Sequence, residues 1–147
     1  MTIVITSGDP AGIGPEIVQK AWICLKKNPA NEFFWIGDPL HLPDSNIPWQ
    51  PIEHPNEASK VFGDALPILI HKFAHPIKIG QHQPENAADV INVIKKAVNL
   101  VKTNNAKALC TSPINKNVLM SGAKFPYTGH TEFLANLDGI DLSLIHI

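Results

Sequence analysis

No arginine occurs in the 147 residues, and all twelve cationic side chains are lysines. The planar fork that grips a phosphate or carboxylate with two parallel hydrogen bonds is therefore missing. Charge is scarce as well, at 17% of residues with a formal net charge of −1, which argues against a nucleic-acid-binding surface. Cysteine is nearly absent. Cys24 and Cys110 make neither a disulfide framework nor a CxxC metal motif, which fits a reducing cytosol. The longest apolar runs fall far short of the roughly 18 residues that a membrane span needs. The opening Met1-Thr2-Ile3-Val4-Ile5 lacks the basic segment of a signal peptide and reads as a first strand. Apolar residues, by contrast, are plentiful at 44% and evenly spread, which argues against disorder. A domain of this length buries about 68–70% of its unfolded surface, enough for one core. Composition thus implies a cytoplasmic globular protein with neither nucleic-acid nor membrane partners, and leaves its chemistry open.

Residues 2–6 run β-branched, as a buried strand does. A loop with three glycines and two prolines follows over residues 7–16. Pro15 is placed as a first helical residue and Glu16 complements the helix dipole. Ile17, Val18, Ala21, Trp22 and Leu25 mark one helical face that ends near Lys26-Lys27-Asn28-Pro29. Residues 33–38 read as a second core strand. Five prolines within residues 39–57 predict irregular structure or an edge strand. Residues 65–70 and 77–79 read as short strands at a sheet edge. The clearest helix opens at Gln83-Pro84 and carries Val90, Ile91, Ile94, Ala97, Val98 and Val101 at helical spacing, ending by Asn104-Asn105. Residues 106–111 form a strand, and a short helix runs to Ser121, with Gly122 closing it in the left-handed conformation. A polar turn before residue 130 feeds another helix. Strands alternating with helices predict an α/β fold of three layers, a mainly parallel sheet covered on both faces.

Three segments carry candidate chemistry. Gly8-x-x-x-Gly12-x-Gly14 matches neither a dinucleotide fingerprint nor a P-loop. It serves either as a tight βα turn whose glycines permit close packing, which spacing alone favours, or as an anion cradle at a helix start. Lys116 follows a strand end, where parallel sheets bind ligands. It is either a point charge for an anion or a solvated lysine. Gly129-His130-Thr131-Glu132 joins a glycine, an imidazole and a hydroxyl at a helix start, where Thr131 is also an N-cap candidate. Structural and functional roles are evenly balanced there. His41, His54, His71, His75 and His82 have no metal-ligand spacing and read as surface or loop residues, while Trp22, Trp35 and Trp49 read as packing residues.

Val4-Ile5-Thr6-Ser7-Gly8-Asp9-Pro10-Ala11-Gly12-Ile13-Gly14-Pro15-Glu16 resembles the opening of the 4-hydroxythreonine-4-phosphate dehydrogenase family. Cys110-Thr111-Ser112-Pro113-Ile114-Asn115-Lys116 and Thr128-Gly129-His130-Thr131-Glu132-Phe133-Leu134-Ala135 resemble its next two signatures, in the same order. The resemblance implies an isocitrate/isopropylmalate dehydrogenase-like fold of two subdomains, with the active site in their cleft and completed across a homodimer. It implies NAD or NADP and a divalent metal (zinc, magnesium or cobalt) as cofactors. The implied reaction is oxidation of the 3-hydroxyl of 4-phosphooxy-L-threonine in pyridoxine 5'-phosphate biosynthesis. The β-keto acid formed, 2-amino-3-oxo-4-phosphooxybutanoate, decarboxylates to 3-amino-2-oxopropyl phosphate. His130 and Thr131 match the family's substrate-binding pair, and Lys116 and Asp9 lie in matching signatures and are expected to face the same cleft. The family's three metal-binding histidines, and its later substrate-binding lysine, asparagine and arginine, belong to motifs with no counterpart here. No metal ligand, catalytic residue or nucleotide-binding residue is assigned.

The resemblance makes residues 1–141 the N-terminal part of a longer dehydrogenase, inactive alone. Leu142-Ser143-Leu144-Ile145-His146-Ile147 resembles the translation of a transposon-end sequencing adapter, so native sequence is expected to end near Asp141. Two other readings compete: a non-catalytic phosphate-binding module, and a related dehydrogenase for another phosphorylated hydroxy acid.

Overall fold

The computed structural model describes residues 2–44 and 46–140. The expected non-native tail, 142–147, lies outside the described residues. Five strands, β1 (Ile3–Thr6), β2 (Phe33–Gly37), β3 (Trp49–Pro51), β4 (Leu66–Ile70) and β5 (Ala108–Cys110), form one parallel sheet in the order β3-β4-β2-β1-β5. Ile5 stands opposite Trp35 on one side and Cys110 on the other, so β1 sits between β2 and β5. The helices are α1 (Gly14–Leu25), α2 (Ala58–Val61), α3 (Ala87–Lys102), α4 (Lys116–Ala123) and α5 (His130–Asp138).

The period-2 alternation of the central strands divides the core into two faces. Phe33 and Trp35 pack with Val18 and Trp22 of α1, while Val4, Phe34 and Ile36 pack with Val93 and Ala97 of α3. The result is the three-layer α/β fold, with α1 and α3 on opposite faces. Trp22 also donates its indole N–H to the Phe62 carbonyl at 2.8 Å, which fixes α1 against the segment after α2. A third cluster joins Val90 and Ile94 of α3 to Leu119 of α4 and Phe133 of α5, building the last two helices onto the outer face of α3.

Several expectations change. β4 lies between β2 and β3 with Leu66 and Ile68 fully buried, so it is an inner strand, and β3 is the edge. Pro67 does not disrupt it, since the neighbouring N–H groups suffice for the ladder to β3 and β2. Residues 77–79 form no strand; they belong to a strap in which Lys78 N–H is held by the Gln83 side chain. Gly122 lies inside α4, and Lys124 at φ 50° closes that helix instead. Gly122 is small because a Cβ there would stand 1.9 Å from the Pro84 carbonyl oxygen. His41 is buried, its ring edge-on to Phe73, and Trp49 is partly exposed on β3.

Candidate functional site

The seam between β1 and β5 is where the chain leaves β1 toward one side of the sheet while β5 continues the other, the geometry at which parallel sheets open a crevice. Two signature loops emerge there and clasp each other. Ser112 N–H donates to Thr6 Oγ1 at 3.0 Å, and Asp9 N–H donates to the Pro113 carbonyl at 2.8 Å. Gly8 takes φ +67°, and a Cβ on it would fall 2.5 Å from the Pro113 oxygen and 2.8 Å from Ser112 Cβ. Both facts demand glycine. Gly14 is equally confined, since its Cβ would lie 2.4 Å from the Ser7 oxygen. Close packing thus accounts for two of the three glycines.

The clasp leaves a groove of about 480 Å³ bordered by Asp9, Gly12, Ile13, Asn115 and Lys116. Asp9 Oδ1 accepts from the Ala11 N–H at 3.0 Å, so its carboxylate shapes the loop. Helix α1 starts in this groove with no side chain bonded at its N-cap, Ile13. Helix α4, which begins at Lys116, is capped by Asn115, whose side chain accepts from Val118 N–H at 3.2 Å.

A second cavity, of about 560 Å³, opens between α3, β5 and α5. Its wall is mostly apolar, with Val98, Leu109 and Leu134, and its polar rim includes His130 and Thr131. The turn before α5 is anchored by Phe125, Tyr127 and Phe133, whose rings meet at 5.0–5.1 Å. His130 is half-buried, its Nε2 has no hydrogen-bond partner, and burial pushes its imidazole below the ordinary value, favouring the neutral form. Thr131 is not the N-cap. Gly129 holds that position with no side chain to contribute, and Thr131 stands exposed one residue inside the helix. Glu132 reaches back to the preceding turn, its Oε2 accepting Thr128 N–H at 2.9 Å.

The four expected residues are thus divided between adjoining cavities, Asp9 and Lys116 in one, His130 and Thr131 in the other. They approach through Lys116, whose Nζ lies 3.8 Å from where a Cβ on Gly129 would stand. Sequence reasoning assigned no role to Thr6 or Glu132. The signal for Glu132 was its place three residues after the N-cap, Gly129, the capping-box spacing. Among the described residues, no group of three or more His, Cys, Asp or Glu side chains could hold a metal ion. His71 instead bonds Asp89 (Nε2 to Oδ1, 3.1 Å), tying the end of β4 to the first turn of α3.

The family model described as "Pyridoxal phosphate biosynthetic protein PdxA" matches residues 30–145. A 4-hydroxythreonine-4-phosphate dehydrogenase of Ruegeria sp. is 51% identical over 95% of this chain and 42% of its own length. The enzyme of the same name from Roseobacter denitrificans is 44% identical over 93% of this chain and 41% of its own. The crystal structure of a 4-hydroxythreonine-4-phosphate dehydrogenase from Burkholderia phymatum superposes with a TM-score of 0.85 at 31% identity, covering 96% of this chain and 44% of that one. The chain therefore spans about two fifths of the length of the curated relatives it matches. The parallel sheet is that of these dehydrogenases, and the chain belongs to the pyridoxal phosphate biosynthetic protein PdxA family.

Proposed function

We propose that this chain forms one wall of the active-site cleft of a 4-hydroxythreonine-4-phosphate dehydrogenase. The complete enzyme is read as a cytoplasmic homodimer that oxidises 4-phosphooxy-L-threonine with NAD or NADP and a divalent metal. His130 and Thr131 bind the phosphorylated substrate, and Asp9 and Lys116 border the adjoining groove. One observation carries this reading: the unpartnered Nε2 of His130 stands beside Thr131 at the start of a helix that no side chain caps. A neutral imidazole, a hydroxyl and free helix N–H groups together suit a phosphate oxygen. Lys116 adds a point charge without the fixed geometry of an arginine. A bound nicotinamide nucleotide would supply the hydride acceptor. The described residues do not fit a metal, so no step here runs through one.

Calorimetry with 4-phosphooxy-L-threonine tests the assignment. Binding to the chain is expected to weaken about tenfold in His130→Ala, about 1.4 kcal/mol; equal affinity of the two proteins would overturn it. Residues 1–147 alone are expected to show no substrate-dependent NAD(P) reduction with added zinc or magnesium, and robust turnover would refute that expectation. The capless start of α1 beside Lys116 also favours the reading as a non-catalytic phosphate-binding module. Tight phosphate binding at that groove, insensitive to His130→Ala, would favour it.

A further inference from the structure

The turn that presents His130 has no capping side chain of its own, because Gly129 occupies the N-cap. Glu132 leaves the first helical N–H groups free and instead reaches back to the turn before the helix, accepting the Thr128 N–H at 2.9 Å. Its carboxyl is held below the usual carboxylate range, first by that N–H, then by the Thr128 side chain and the Lys116 charge. Lys116 lies across Gly129, its Cε 3.7 Å and its Nζ 3.8 Å from the position of a Cβ there. One turn therefore carries both side chains: Glu132 closes it through the Thr128 N–H, and Lys116 lies across it at Gly129.

We propose that Glu132 is a positioning residue that couples the two cavities: it closes the Thr128–Gly129 turn and draws the Lys116 ammonium over Gly129, so that imidazole and ammonium address one phosphorylated ligand. This rests on reading His130 and Thr131 as the phosphate-binding pair. A glutamate that merely capped α5 would influence the helix and leave Lys116 indifferent. A positioning glutamate makes the order of the lysine depend on a carboxylate sixteen residues away in the chain.

Nuclear magnetic resonance on the full chain separates these cases, first without ligand. In Glu132→Gln, the Thr128 amide is expected to exchange about tenfold faster, the loss of one charge-assisted hydrogen bond. The Lys116 side-chain methylenes are expected to become more mobile, while the amides of residues 134–137 keep their protection. In Lys116→Met, which leaves the turn intact, the Glu132 carboxyl is expected to titrate closer to the ordinary carboxylate value. Unchanged Lys116 mobility in the first variant together with unchanged Glu132 titration in the second overturns the proposal. If Glu132→Gln unfolds α5, the Lys116→Met titration decides alone. Inorganic phosphate is then added as the probe. It is expected to shift both His130 and Lys116 in the parent chain and to bind about fivefold more weakly to Glu132→Gln, a difference near 1 kcal/mol. If phosphate shifts neither residue, the phosphate-binding reading fails, and the ligand-free measurements still judge Glu132.

Discussion

Both His41 and His130 carry a buried ring nitrogen without a partner, Nδ1 in one and Nε2 in the other, and burial pushes both imidazoles below their ordinary value. Their surroundings differ. His41 closes a short 3-10 turn (Pro39–His41), is only 8% exposed, and stacks edge-on against Phe73 at 4.9 Å. The recess beside it is about 250 Å³, and the nearby Asp38 carboxylate already accepts the N–H groups of Leu40 and Phe73. His130 borders a cavity of about 560 Å³ next to a free hydroxyl and a helix start that no side chain caps. An orphaned nitrogen therefore marks a candidate site only where space and uncommitted donors accompany it; elsewhere it is a cost of packing.

The largest expected effect falls on the packing histidine. His41→Ala is expected to lower unfolding free energy by about 2–3 kcal/mol, read from urea denaturation, and to leave phosphate affinity unaltered. A loss below about 0.5 kcal/mol would erase the distinction between the two rings. Next comes the reverse case, the tenfold loss of substrate affinity in His130→Ala, which is expected to cost under about 1 kcal/mol of stability. Acidification sharpens the comparison further. Both imidazoles have folded values below their unfolded ones, so the unfolded chain binds more protons in the window between. Stability is then full above about pH 6.5 and lost as pH falls through the folded values. Inorganic phosphate, by favouring the imidazolium, is expected to raise the titration of His130 and leave that of His41 in place, as followed by ring-proton resonances. The smallest effect is expected at Thr131→Val, a weakening of phosphate binding of about threefold. An effect as large as that of His130→Ala would shift the centre of the site onto the hydroxyl.

The strands and helices with an unbroken period were legible from sequence: β1, β2, α1 and α3 each carry one apolar rhythm over their whole length. What was misread depended on partners far away in the chain. Residues 65–70 read as a short edge strand, yet β4 is an inner one, because sheet order is a non-local property. Gly122 looked like a helix stop, and only the Pro84 carbonyl pressed against it explains its size. The separation of Asp9 and Lys116 from His130 and Thr131 was equally invisible, since motif order does not say which cavity a side chain enters. Spacing left His130 balanced between two roles, and the family signatures supplied the tilt.

The clasp between Thr6 and Ser112 joins residues 106 positions apart, across a β1–β5 pairing of only three residues. Closing so long a loop costs entropy that few local contacts repay in advance, so such pairings form late in folding. The pairing that brings the two signature loops together therefore depends on residues far apart in the chain. Opening of β5 alone separates the two signature loops while β1, β2 and β4 remain paired. Amide exchange at residues 108–110 is therefore a direct gauge of how long the binding surface stays assembled.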